Sequence, residues 1–298
     1  LILQPKIDTN SANDLRKAVA LDPAFIGAWA QLVIILCHQV RWWNVQPQAV
    51  STEVYRANER VQALNPKSAY AHESLAQVHM ALDRDWRAAA AEFARAQELD
   101  PTDADNTRRL ADITGAVTGD NEGALRLYLK AIELDPINVR NYQSVALAYD
   151  NLGRFADAEA TLRKALDLEA TFPGLHGFLG VELAQLGRQP EALAEIQKEM
   201  NEESRRISLA YAYAALGRKA DADAALAAVE QQYATTSPRE IAELHAFRGN
   251  VDQTFDWLNR ACLDNPENAI WIKQTSAFKS IRGDPRYKTL LRKMNLPE

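Results

Sequence analysis

The chain has little of what bends, staples or anchors a polypeptide. Glycine and proline occur twelve times each in 298 residues. That scarcity argues against Gly-rich linkers and against the turn-dense all-β folds. Only two cysteines are present, Cys37 and Cys262. They lie too far apart in sequence for a metal knuckle and are too few for a disulfide framework. No apolar run reaches the roughly 18 residues of a membrane span. Positive charge is also in deficit: 34 Lys and Arg against 40 Asp and Glu leave a net charge of −6. A generic nucleic-acid binder needs a basic surface, so nucleic acid is not the expected partner. No Gly-rich phosphate loop is present, and the five histidines (His38, His72, His79, His176, His245) do not form a ligand set. His72 and His79 would be separated by about 10.5 Å of helical rise, too far to share one ion. No catalytic residue, metal or cofactor is expected in this segment.

What is abundant is alanine, at fifty residues, and alanine is the best helix former. Three landmarks then recur. Leu-Asp/Asn-Pro appears at 21–23, 64–66, 99–101 and 134–136. Gly stands at 119, 153, 187, 217 and 249, at intervals of 34, 34, 30 and 32. Ala stands at 89, 124, 158, 192 and 222, each followed four residues later by Phe93, Tyr128, Leu162, Ile196 or Leu226. Between the landmarks the apolar residues follow helical spacing, as in Tyr142, Val145, Ala146 and Tyr149. Gly can end a first helix in the left-handed conformation, and Pro cannot continue a second one. Each unit is therefore an antiparallel helix pair of about 34 residues, the tetratricopeptide period.

The chain resembles a tetratricopeptide repeat (TPR) protein. Residues 139–172 carry the pattern best, with Tyr142, Val145, Ala146, Tyr149, Gly153, Ala158, Leu162 and Ala165, although Ala170 stands where Pro is usual. The resemblance implies an all-α solenoid, a right-handed superhelix of about seven to eight antiparallel helix pairs with a C-terminal capping helix. The expected units are a half-unit at 10–25, then about 26–68, 69–103, 104–138, 139–172, 173–202, 203–234 and 235–268, with a cap at 269–298. The second unit is about nine residues over the period, with its surplus around 38–47, and the unit at 173–202 is four short. The cap is expected as one helix around 269–281 and a last helix opened by Asp284 and Pro285. The ending 283–297 is similar to the closing helix of TPR regions in bacterial signalling proteins. There the array follows a class III adenylate cyclase, a winged-helix domain or a protein kinase domain. The chain begins at Leu1, without Met and partway through a unit, so a domain upstream is expected.

The expected function is a protein- or peptide-binding scaffold, the interaction region of a larger signalling protein. The alternative is the non-catalytic, substrate-holding arm of a TPR-bearing enzyme such as a glycosyltransferase. Stacked helix pairs offer an extended concave face, lined by the first helix of each unit. On it the candidate peptide-binding residues are Arg108, Arg109, Asp112, Arg140, Ser144, Gly177, Val181 and Tyr211. The arginines could hold a carboxylate bidentately, or be neutralised by Asp105, Asp112 and Glu133. Gly174 and Gly177 either leave room for a ligand or permit close packing. TPR domains that capture the acidic tail of heat-shock chaperones use Lys and Asn where this chain has Arg108, Asp112, Arg140 and Ser144, so the resemblance to that clamp is broken by an acid. An alternative patch is Trp42 and Trp43, as a partner hot spot or as cover for the insert's open edge. The partner is a protein or peptide, and a homo-oligomer is compatible with the architecture. The expected compartment is cytoplasmic, or periplasmic if a span lies upstream.

Overall fold

The computed structural model describes residues 9–42, 45–264 and 266–298. Sixteen α-helices run through the described residues, which contain no strand. They are α1 (Thr9–Leu21), α2 (Ile26–Trp42), α3 (Pro47–Leu64), α4 (Ala69–Val78), α5 (Trp86–Leu99), α6 (Ala104–Thr118), α7 (Asn121–Leu134), α8 (Val139–Asn151), α9 (Phe155–Leu168), α10 (Leu175–Gln185), α11 (Gln189–Ile196), α12 (Glu202–Ala215), α13 (Lys219–Tyr233), α14 (Pro238–Phe247), α15 (Val251–Asp264) and α16 (Pro285–Lys293). From α2 to α15 they pack as consecutive pairs, and each pair stacks on the next.

The landmarks have the roles their chemistry requires. Gly119, Gly153, Gly187, Gly217 and Gly249 all close a first helix with φ between 68° and 76°, a region costly for residues with a Cβ. Asn65, Asp100 and Asp135 leave the helical region as the second helices end. Ser68, Asp103, Asn138 and Asn201 open first helices, each accepting a backbone N–H with its side chain, which satisfies one of the orphan donors. Alanines at the seams are fully buried, as at Ala76, Ala89, Ala146, Ala158 and Ala165. The departures in length resolve locally. The long unit extends both of its helices, α2 and α3, to 17 and 18 residues. The short unit trims its second helix, α11, to eight.

After α15 the chain departs from expectation. In place of one helix there are two 3-10 segments, Pro266–Lys273 and Ser276–Ile281. Ile270, Ile272, Gln274, Phe278 and Ile281 are all buried, so the first segment is covered on more than one side. The break between the segments is held from outside: the Asn151 side chain accepts the Ser276 N–H at 2.9 Å. Helix α16 begins as the sequence predicts, with Asp284 capping the Arg286 N–H and Pro285 at the first position. Tyr287, Leu290, Leu291 and Met294 are buried beside Phe255, Leu258 and Phe278. The cap also reaches much further than the last unit. Trp86 donates its indole N–H to the Met294 carbonyl at 2.6 Å, and the Asn295 amide donates to the Arg84 carbonyl at 2.9 Å. Lys273 donates to the Val117 carbonyl at 2.7 Å, and Asn121 to the Gln274 carbonyl at 3.0 Å. One hydrophobic core therefore joins residues 76–117 to 242–296. The C-terminal segment crosses the face of the first helices and ties the last unit back to the early ones.

Candidate ligand-binding groove

The concave face is thus not open along its length. Residues 266–281 lie against α6, α8 and α14. Beside that segment lies a cavity of about 300 Å³ between α8, α10, α12, α14 and residues 271–277. Its apolar wall includes Leu147, Phe178, Val181, Phe247 and Trp271. Tyr211 meets Phe247 edge-on, with ring centres 6.0 Å apart at 71°.

The polar side is acidic. On α14, Arg239 is held by Glu240 at 2.6 Å and by Glu243, and the Tyr211 hydroxyl donates to Glu243 at 3.1 Å. That group is internally matched. Asp150 on α8 and Glu182 on α10 have chiefly each other. Glu182 is fully buried, and no nitrogen or hydroxyl donor reaches either of its carboxyl oxygens. Burial pushes Asp150 up to about 6. Burial, and then the Asp150 charge and hydrogen bond, holds Glu182 well above the usual carboxylate range. Two acceptors facing each other in a poorly hydrated site can associate only by sharing a proton.

The linkage has a definite sign. Both acids bind protons more tightly in the folded chain than in the unfolded one. Their contribution to stability is fully present at acid pH and is lost as pH rises from the ordinary carboxylate range through about 6 and beyond. Glu182→Gln should therefore melt at a higher temperature than the parent at about pH 7.5, with the gap closing by about pH 4.5. Thermal melts across that range check it, and a gap that does not narrow in acid contradicts it.

The sequence-predicted residues divide. Val181 and Tyr211 line the cavity. Ser144 and Arg140 sit half-buried on α8 but outside the cavity lining. Burial and the adjacent Arg108 lower the affinity of Arg140 for its proton. Arg108 is paired with Asp112 at 3.1 Å and Asp105 at 3.5 Å, and Asp112 also accepts the Tyr128 hydroxyl at 2.7 Å. Arg109 is paired with the buried Glu73 of α4. These two guanidinium groups are matched by the protein's own carboxylates. Gly177 leaves no open space, because a Cβ there would stand 2.5 Å from the Ser208 hydroxyl oxygen. Gly180 is tighter, at 2.2 Å from an Ile196 side-chain carbon and 2.8 Å from the Ala192 carbonyl oxygen. The glycines of α10 serve close packing, Ile207 turns into the core between units, and Phe178 is buried in its core while one side of it lines the cavity. Trp42 ends α2, and Trp43 lies outside the described residues, so the tryptophan patch lies there too.

Asp150, Glu182, Arg239 and Glu243 were not singled out from the sequence, and Trp271, expected on the apolar face of a helix at 269–281 beneath the closing segment, lines the cavity instead. A faint signal existed for the two acids. One repeat forward and one back from Glu182 stand Ala212 and Ala148, and the counterparts of Asp150 are Ala116, Ala184 and Ala214. Both acids replace a seam alanine.

Comparisons with known proteins bear on the fold. Residues 127–160 match the tetratricopeptide repeat family. No curated protein matches the chain. Among solved structures, PilF of Pseudomonas aeruginosa is similar over 79% of this chain and 98% of its own, at 16% identity and a TM-score of 0.54. A chain of the APC/C hetero-tetramer Cut9–Hcn1 is similar over 95% of this chain and 52% of its own, at 15% identity and a TM-score of 0.60. With the paired helices, the glycine caps and the matched repeat at 127–160, these likenesses identify the fold as an all-α solenoid of the tetratricopeptide repeat type.

Proposed function

We propose that the chain is a protein-interaction scaffold whose partner enters the concave face between α8 and α14. The observation that carries this reading is the cavity left on the first-helix face beside the crossing C-terminal segment. Solenoids of this kind bind along their concave surface, and here an apolar wall stands beside an acidic one. The entry site lies at Val181 and Tyr211 rather than at Arg108 and Arg109, whose charges are already matched. The scaffold serves as the interaction region of a larger bacterial signalling protein. That part rests on the similarity of 283–297 to the closing helix of such regions. The chain has six more acids than bases, and among the described residues no helix is long and apolar enough to cross a membrane.

A domain joined to the scaffold in the same polypeptide is the first partner to test, by fluorescence anisotropy with the separate domain. Val181→Arg should weaken binding at least about tenfold, because a long charged side chain enters the apolar wall. Lys164→Glu, on the exposed face of α9, should leave it unchanged. Equal affinity for Val181→Arg and the parent, with folding intact, would move the site off this face.

A further inference from the structure

The cavity has more chemistry than a generic groove. Its ionisable groups come from every helix that frames it, namely Asp150 of α8, Glu182 of α10, Tyr211 of α12, and Arg239, Glu240 and Glu243 of α14. Among the described residues that line it Arg239 is the one cation, and it is already shared between Glu240 and Glu243. Lys279, on the second 3-10 segment, places its ammonium on the Asn151 carbonyl at 3.4 Å and acts on Asp150 only as a nearby charge. Glu182 has two buried oxygens that no nitrogen or hydroxyl donor reaches, so they rely on the proton shared with Asp150. A buried carboxyl without such a donor is costly. In a close-packed protein such an atom marks a place where something is missing. It sits in a seam where the neighbouring units carry alanine, so packing alone does not call for it.

The structure assigns this cavity to a primary ammonium group carried on a short apolar stem, received by the Glu182 and Asp150 carboxylates. This rests on the proposed scaffold reading and narrows it. Three observations favour that chemistry. Glu182 and Asp150 are both carboxyls, so the ligand is a cation. The walls Phe178, Phe247 and Trp271 are aromatic, which suits a methylene stem and adds attraction for a cation over a ring face. The volume of about 300 Å³ equals roughly ten water molecules, enough for a lysyl side chain or a small alkylamine but not for a folded element. An ammonium supplies three donors, where Glu182 and Asp150 have oxygens to fill.

Binding would exchange charges in a balanced way. The carboxyl pair holds a shared proton when empty. An ammonium ion arriving with its own three protons displaces the shared one, which leaves to the solvent. Affinity should therefore rise with pH through about 6, where the pair gives up its first proton, and onward as the shared proton becomes easier to displace. The Arg239 guanidinium stays charged throughout that range beside Glu240 and Glu243. Tyr211 is kept neutral by burial.

The test uses isothermal calorimetry on the full chain with two pairs of probes. One pair is n-hexylamine and n-hexanol. The other is a capped five-residue peptide with one central lysine between leucines and its norleucine counterpart. The amine, the lysine peptide or both should bind at least about tenfold more tightly than the neutral partner. Repeating the titration in two buffers of different ionisation heat should show a proton released. Glu182→Gln and Asp150→Asn should each erase most of the preference, and melts should show both variants folded. Binding of the peptide alone names a lysine of a protein partner, and binding of hexylamine alone names a free amine. Equal binding of the charged and neutral probes, or none by either pair, overturns the assignment. Loss of the ammonium preference with partner binding still sensitive to Val181→Arg defeats this inference and leaves the scaffold reading standing.

Discussion

A chain lacking residues 284–298 is expected to melt at a markedly lower temperature than the parent and to aggregate. The segment buries Tyr287, Leu290, Leu291, Met294 and Leu296, none more than 6% exposed. Each is worth about 1.5–3 kcal/mol against exposure. Even after ordering entropy is subtracted, this is a large share of a net stability of about 5–15 kcal/mol. The loss does not stay at the C-terminus. Trp86, 1% exposed and bonded to the Met294 carbonyl, would be uncovered together with Phe278 of the crossing segment. A newly exposed aromatic patch of this kind drives association. Differential scanning calorimetry and size-exclusion chromatography read both effects. A truncated chain as stable and as monodisperse as the parent would mean that the early and late units do not depend on the segment that joins them.

Arg109→Met is expected to cost about 3–5 kcal/mol, the range for removing one partner of a buried ion pair. Glu73 is 4% exposed and sits on α4, one unit before Arg109 on α6. Without the guanidinium it keeps its desolvation penalty and loses the attraction that offset it. The second half of the prediction is the sharper one. Arg109→Met combined with Glu73→Leu should recover most of the lost stability, because an apolar pair of similar volume avoids the penalty altogether. Urea unfolding of the parent, both single variants and the double variant completes the cycle. Additive losses in the double variant would show that Arg109 does not act through Glu73. Recovery would place Arg109 in the framework between two units and not on a peptide-binding surface. Its neighbour Arg108 is held in the same way by Asp112 and Asp105 on its own helix.

These arginines show how far a repeat frame can be read. The frame correctly puts 108 and 109 on the first helix of a unit. It is silent on whether the preceding unit supplies an acid within reach. Glu73 lies 36 residues before Arg109, about one repeat away, and only the stacking of α4 against α6 by way of α5 makes them partners. Gly177 is a second case. Glycine on a first helix was compatible with an open floor or with close packing, and the approach of the Ser208 hydroxyl decides for packing.

The helical pairs, their ends and their alternation follow from the sequence alone, because they rest on local rules. A left-handed glycine, a capping Ser, Asp or Asn and a proline act over four or five residues. The seam alanines repeat in register with them. The extent of the cap, the 3-10 form of 266–281 and the cavity arise from contacts across long separations. Trp86 and Met294 are 208 residues apart, and Asn151 and Ser276 are 125 apart. No periodicity encodes those distances. They depend on how far the stacked units have curved by the time the chain reaches its last segment, and each unit adds a small rotation to that curve. The two carboxyls of the cavity belong to the same class of fact. In the sequence Asp150 and Glu182 are two acids on the first helices of successive units. Their burial, and with it their chemistry, was decided only when α8, α10, α12 and α14 came together and residues 271–277 crossed over them.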